Sequence, residues 1–471
     1  MTTYTEDQQD VDRIQSHARA ASSITSAAGT TSGKPVERKR SARDSEQNPE
    51  LVSDALLEAE AKLVDSGAIG VGGGCLHAYR GAPTQLSGTE IERTLRRWQA
   101  GHAEFPFSAV VAHYRAVGRN RVRPDVAAKL RDLHGRRLDD PILAAWLPMT
   151  FDTDHGTYST YVGLDYFDHV VESAQRPADC ERVDAYIAAA AIDLALLETR
   201  AAAASPDGPQ LARARAATRV VTQLGRFAPD YVLDPSLAAT GAAAMAHAGC
   251  HYESFASAAA LALESVPNDI ATAVRLTLLP TTRLHDEQMF IRCIQIFEGL
   301  YRQTATAISS ATRNLLAGET AHAADCLDRA SGRLEAIPML FRVLTTMPID
   351  AFSVIRGFTN GRSAVQSRAF REIQFSCAPA DRRPHHIQHL DAREATLQCA
   401  YLSRRSTLAD ALYFEESMRR LDRTWGAMKQ GHWGITRKII GSVPGTGGTA
   451  GASYLQTAAK SSLFPGLPAA A

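Results

Sequence analysis

The chain has 471 residues, 45% of them hydrophobic, and its 51 lysines and arginines balance 51 aspartates and glutamates. Such a length holds two or three domains, or one large helical domain with appendages, and the apolar share is enough for a sizeable core. Zero net charge supplies no field favouring nucleic acid or an anionic membrane, and seven scattered cysteines without a CxxC pair argue against a disulfide framework and for a reducing compartment.

Residues 1–50 are polar and charged, and read as a disordered tail without a signal peptide; the Arg38-Lys39-Arg40 cluster is either a localisation signal or an ordinary feature of such a tail. Leu51 to Ala61 suggests a short helix, and Gly70 to Gly74 a hinge, within a helical region spanning 51–150. From Glu90 onward apolar residues recur every three or four positions and runs of alternating strand residues are missing, so the expected class is all-α, with the principal domain over 151–467. Ala-rich stretches at 183–204 and 237–266 belong to a long middle region. Ala185–Ala204 comes closest to a membrane span, but Asp193, Glu198 and Arg200 mark it as a buried helix of a soluble, cytoplasmic protein with no membrane or nucleic-acid partner.

The last strong helix carries Met418, Leu421, Trp425, Met428, His432, Ile435 and Ile439, spaced alternately by three and four. That is one apolar stripe, and Gly441 and Pro444 end it. A histidine inside such a stripe is either a satisfied core residue or a ligand. Gly445-Thr446-Gly447-Gly448-Thr449 follows at once, where backbone N–H groups can converge on a carboxylate or propionate or simply make turns. No lysine completes a nucleotide-phosphate loop there.

The stretch from His432 through Arg437, Gly441, Pro444, Thr446 and Gly447 to Leu455 resembles the carboxyl-terminal signature of the tryptophan 2,3-dioxygenase superfamily. Three more segments are similar to that family in the same order. They are Tyr158-Ser-Thr-Tyr161-Val-Gly-Leu-Asp165, then Asp286-Glu287-Gln-Met-Phe290-Ile291, then Ser363 to Ile373 with Arg371. The resemblance spans roughly residues 155–467 and implies a helical heme domain with a helical insertion at about 172–280. It implies that His432 is the axial ligand of heme iron, that Arg371 and Thr446 hold the α-carboxylate and ammonium of an amino acid, and that Phe290, Tyr158 and Tyr161 line the pocket. Gly445 and Gly447 are assigned to the cofactor. A guanidinium suits the carboxylate because its planar fork gives two parallel hydrogen bonds. Each short segment also has a plain reading: packing tyrosines, a core phenylalanine, an arginine paired with a structural carboxylate.

Two departures matter. Where the family's dioxygenases place a distal histidine, four residues after the phenylalanine, this chain has Ile294, which neither accepts a hydrogen bond nor moves a proton. The middle region is also far longer than theirs. Both features resemble the superfamily's hydroxylases, peroxygenases and tryptophan-derivative oxygenases of secondary metabolism. Some of those attach heme through a cysteine at the position of Thr436, so one non-covalent heme b per subunit is expected. The reading is a heme-dependent oxygenase or peroxygenase that hydroxylates a tyrosine- or tryptophan-like amino acid with O₂ or H₂O₂, in a homo-oligomer. Indole ring cleavage and a non-catalytic heme or amino-acid carrier are the alternatives. For the missing distal polar group, His385, His386 and His389 near Asp391 are candidates, as is His285, which can equally cap its helix.

Overall fold

The computed structural model describes residues 49–65, 88–135, 138–152, 156–172, 180–204, 209–224, 252–359, 367–379, 381, 395–408, 410–440 and 452–467. Residues 1–48 of the tail, the 70–74 hinge, the 385–391 histidine cluster and the 445–449 loop lie outside them, while Pro49 and Glu50, expected in the tail, already belong to a helix. The amino-terminal helices are α1 (Pro49–Asp65), α2 (Gly88–Gln99), α3 (Phe107–Val117), α4 (Pro124–His134) and α5 (Pro141–Trp146). The middle of the chain gives α6 (Tyr158–Val162), α7 (Leu164–Glu172), α8 (Cys180–Ala204), α9 (Pro209–Leu224), α10 (Tyr252–Glu264) and α11 (Asn268–Leu276). The rest gives α12 (His285–Ala317), α13 (Thr320–Leu344), α14 (Ile349–Phe358), α15 (Arg368–Cys377), α16 (Leu397–Arg404), α17 (Ala411–Ile440) and α18 (Ala452–Ala459). No strand accompanies them among the described residues, and the protein is all-α.

Helix α12 is the axis of the assembly. It opens with Asp286 and Glu287, whose charge suits the positive end of the helix dipole, and closes at Gly318, whose left-handed φ of 88° turns its N–H back to Asn314 and Leu315. The tight connection folds α13 back beside α12, and α13 in turn packs on α17. Helices α8 and α15 cover other faces of α12, α9 lies on α8 and α13, and α18 lies on α17. Most of α12 is buried, charged residues included, which is the pattern of a helix surrounded by others rather than lying on a surface.

One buried apolar cluster runs from Ile91 to Phe464, so residues 51–150 share a core with 151–467. Trp146 ties the two by donating from its indole to the Leu276 carbonyl at 2.9 Å. Helix α8 is the buried helix expected of its alanine-rich sequence, and its charges are internal pairs: Asp193 with Arg292 at 2.6 Å, Glu198 with His285 at 3.0 Å. Among the described residues no single helix is long and apolar enough to cross a membrane. Between α6 and α7 the chain turns at Gly163, with φ 78°; a Cβ there would sit 2.9 Å from Met149 and 3.0 Å from Thr277, so only glycine serves.

Candidate functional site

Helix α17 presents the apolar stripe as expected, but its two halves differ. Met418, Leu421, Trp425 and Met428 are fully buried, whereas His432, Ile435 and Ile439 are only partly covered. The stripe thus leaves the core where His432 begins. The imidazole stacks on Phe341 of α13, centroids 5.8 Å apart and planes inclined by 17°. It makes no hydrogen bond to a described residue, and loss of hydration pushes its pKa down to about 4, so the ring is neutral with a lone pair available. A neutral imidazole without a hydrogen bond among the described residues suits a single-ligand metal group. Among the described residues no three His, Cys, Asp or Glu side chains converge on a metal position of their own.

Phe341 starts a chain of rings leading inward. It meets Phe297 at 5.4 Å, Phe297 stacks on Tyr301 at 6.3 Å, Tyr301 meets Phe370 edge-on at 5.3 Å, and Phe370 lies 4.6 Å from Trp425. The rings bring α12, α13, α15 and α17 to one place. On α12, Phe290 is partly covered and touches Phe352 of α14 at 6.3 Å. One turn later Ile294 is buried at 8% exposure, an apolar wall between Phe290 and Phe297.

The paired tyrosines of α6 face α12. Thr157 starts their short helix by accepting the Thr160 N–H, and both rings are buried. Tyr161 donates to Glu287 at 2.9 Å, and Tyr158 donates to Glu298 at 2.6 Å. Glu287 also accepts from Thr281 N–H (2.8 Å) and from the Thr282 N–H and hydroxyl (2.6 Å each). Burial raises its pKa in spite of these donors. Glu298 has one further donor, the Ser367 hydroxyl at 2.9 Å, and burial pushes it up to about 7. The tyrosine hydroxyls are therefore engaged by α12, while their rings contribute to the wall around it.

Ser367 begins α15 by accepting the Phe370 N–H at 3.1 Å. In the first turn of that helix Arg371 is half-buried, and its buried Nε has no partner among the described residues. The structural carboxylate that sequence alone allowed as its mate is not found among them. At the other side of the site Lys429 donates to the Ala458 carbonyl (2.7 Å) and the Ser461 hydroxyl (2.9 Å), while Asp422 accepts from Ser462 (2.6 Å) and Leu463 N–H (2.7 Å). Residues 458–463 are thereby held against the helix that carries His432. Thr446, Gly445, Gly447, His385, His386 and His389 lie outside the described residues.

One candidate is corrected. His285 neither caps α12 nor faces the Phe290–Ile294 wall: Leu284 holds the cap position, and the ring is 2% exposed with Nε2 against Glu198 of α8. The long middle region brings that carboxylate to the start of α12 and claims the histidine. Arg213 of α9 completes the cluster with Asp286 at 2.7 Å. Conversely, sequence reasoning passed over Phe341 and Glu298. Phe341 has no local signal, since its stacking depends on α13 meeting α17. Glu298 does have one, a carboxylate set inside the apolar run Phe297–Tyr301.

No protein-family description matches the chain. It is similar to three bacterial proteins named tryptophan 2,3-dioxygenase. The one from Polaromonas sp. is 26% identical over 235 residues, covering 40% of this chain and 79% of the relative. The Anaeromyxobacter sp. protein is 24% identical over 231 residues, 40% of this chain and 87% of the relative. That of Pseudomonas fluorescens is 26% identical over 235 residues, 40% and 83% respectively.

Proposed function

We infer that this chain, a distant member of the tryptophan 2,3-dioxygenase superfamily, is a heme-dependent oxygenase acting on an aromatic α-amino acid. The observation that carries the reading is His432: neutral, stacked on Phe341 and without a hydrogen bond among the described residues, it would hold the iron of a non-covalent heme b, one per subunit. Heme held there would supply activation of O₂ or H₂O₂. The chain's own residues do the rest. Arg371 offers its guanidinium to the substrate carboxylate, and Thr446 is assigned to the same amino-acid backbone. Gly445 and Gly447 are assigned to the cofactor. The rings of Phe290, Tyr158 and Tyr161, with Ile294, set where the aromatic ring lies, and that placement decides which carbon reacts.

The finer reaction is addition of one oxygen atom, as in hydroxylation. Its support is Ile294, since an apolar side chain at the centre of the wall accepts no proton from an indole N–H. Ring cleavage by insertion of two atoms is the second reading, and the names of the relatives favour it. The enzyme is taken to be a cytoplasmic homo-oligomer of secondary metabolism. Product mass decides between the reactions: heme-loaded protein is given tyrosine, tryptophan and their methylated forms with O₂ and reductant, or with H₂O₂. Gain of one atom is the expected result and names the oxidant; gain of two on an indole establishes cleavage. No product from any of them, with a normal heme spectrum, defeats the oxygenase assignment for these substrates.

A further inference from the structure

Three stretches meet at one side chain. Glu298 of α12 accepts the Tyr158 hydroxyl on one carboxylate oxygen (2.6 Å) and the Ser367 hydroxyl on the other (2.9 Å). Ser367 in turn accepts the Phe370 N–H (3.1 Å), and its carbonyl accepts the Arg371 N–H (3.3 Å), so this serine sets the first turn of α15. Glu298, Tyr158 and Ser367 are 5%, 7% and 0% exposed. No cation pairs with Glu298 among the described residues; Asp168, Tyr186 and Tyr301 are its charged or titratable neighbours besides Tyr158. A buried carboxylate without a cation is costly, and each of its oxygens accepts from one hydroxyl, that of Tyr158 or that of Ser367.

We propose that Glu298 is a positioning residue for the substrate carboxylate: through Ser367 it fixes the turn that carries Arg371, and through Tyr158 it ties that turn to the wall of the pocket. The proposal rests on the reading of Arg371 as the carboxylate clamp. It gives the buried carboxylate a task that simple packing leaves unexplained, because Arg371, four residues beyond Ser367, has a buried Nε without a partner and no ion pair among the described residues to hold it in place. A planar fork makes two parallel bonds only when its plane is set in advance.

The test uses heme-loaded full-length protein and follows the heme absorption band as ligand is added. Tryptophan and tyrosine are compared with tryptamine and tyramine, which lack the carboxylate. Glu298→Ala and Ser367→Ala are each expected to weaken amino-acid binding about tenfold and to leave the amines unchanged. The two together should lose no more than either alone, and neither should add to Arg371→Ala. Glu298→Gln, which keeps the volume, should fall between parent and Glu298→Ala. Equal losses for amino acids and amines, or losses that add in full to Arg371→Ala, would overturn the proposal and leave Glu298 a packing residue. A parent that binds the amines as tightly as the amino acids overturns the clamp reading itself, and with it this proposal. Hydrogen exchange separates the two failures without any ligand. Amides 368–373 should exchange faster in Glu298→Gln than in the parent; unchanged exchange there would show that Glu298 does not hold the turn.

Discussion

The cluster at the start of α12 and the pair His432 and Arg371 use the same kinds of side chain in different states of ion pairing. At the start of α12, Asp286, His285, Glu198 and Arg213 are all buried and engage one another, and Glu287 takes four donors. His432, in contrast, has no hydrogen bond among the described residues, and the Arg371 Nε is buried without a partner among them. Buried polar groups are normally satisfied, so a cation and an imidazole without partners among the described residues are the groups assigned here to ligands. The two sets differ in ion pairing and not in residue type: each contains a histidine and an arginine, and in the paired cluster too Arg213 Nη1 and Glu198 Oε2 are buried without a hydrogen bond.

The comparison breaks most completely at His432. His432→Ala is expected to abolish the parent's ligand spectrum on heme titration while leaving the far-ultraviolet circular dichroism unchanged; an unchanged heme spectrum would mean that another side chain is the ligand. At the other region Arg213→Met strands Asp286 and Glu198 in the core. Removing one partner of a buried pair costs about 3–5 kcal/mol, to be read from denaturant unfolding of the heme-free protein. A loss near zero would show that the cluster does not hold α9 to α12.

Glu298 sharpens the contrast because it belongs to neither state entirely. Its pKa of about 7 exceeds the usual 4.5, so between those pH values the folded chain keeps a proton that the unfolded chain gives up. Stability therefore falls as pH rises through that window, by about 3 kcal/mol in all, and Glu298→Gln should remove this slope. His432, pushed down to about 4, acts in the opposite sense between about 4 and 6.5, so the diagnostic quantity is parent minus Glu298→Gln at each pH. A difference that stays flat from pH 5 to 8 rules out the buried, protonated carboxyl. Smaller again is Arg371→Ala. Loss of a bond between charged groups is about 1.5–3 kcal/mol, roughly 10- to 100-fold weaker amino-acid binding with heme uptake intact.

Helices were legible because their signal is local: the 3–4 spacing along α17 and the alanine-rich text of α8 both became the helices they suggested. The site was legible only as far as a motif reached. His432 and Arg371 stood in recognisable stretches, whereas Phe341 stacks on His432 only because α13 and α17 meet, a contact across ninety residues of chain. His285 misled for the same reason. From sequence it stands at the mouth of α12, and only the fold shows that α8 brings Glu198 to it.

The smallest expected effect tests whether the number of donors, and not burial alone, distinguishes the two glutamates of α12. Tyr161→Phe leaves Glu287 with Thr281 N–H, Thr282 N–H and the Thr282 hydroxyl, so its charge stays solvated by the fold and the loss should be about 1 kcal/mol or less. Tyr158→Phe leaves Glu298 with Ser367 alone, and the loss should be nearer 2 kcal/mol. The same change should move Glu298 further upward, because a donor that favours the charged form has gone. The gap between the two variants should then widen from pH 5 to pH 8, since only the second leaves a poorly solvated charge once the proton departs. Equal losses for the two tyrosines at both pH values would mean that their hydroxyls are interchangeable, and the distinction between a satisfied and a half-satisfied carboxylate would not survive.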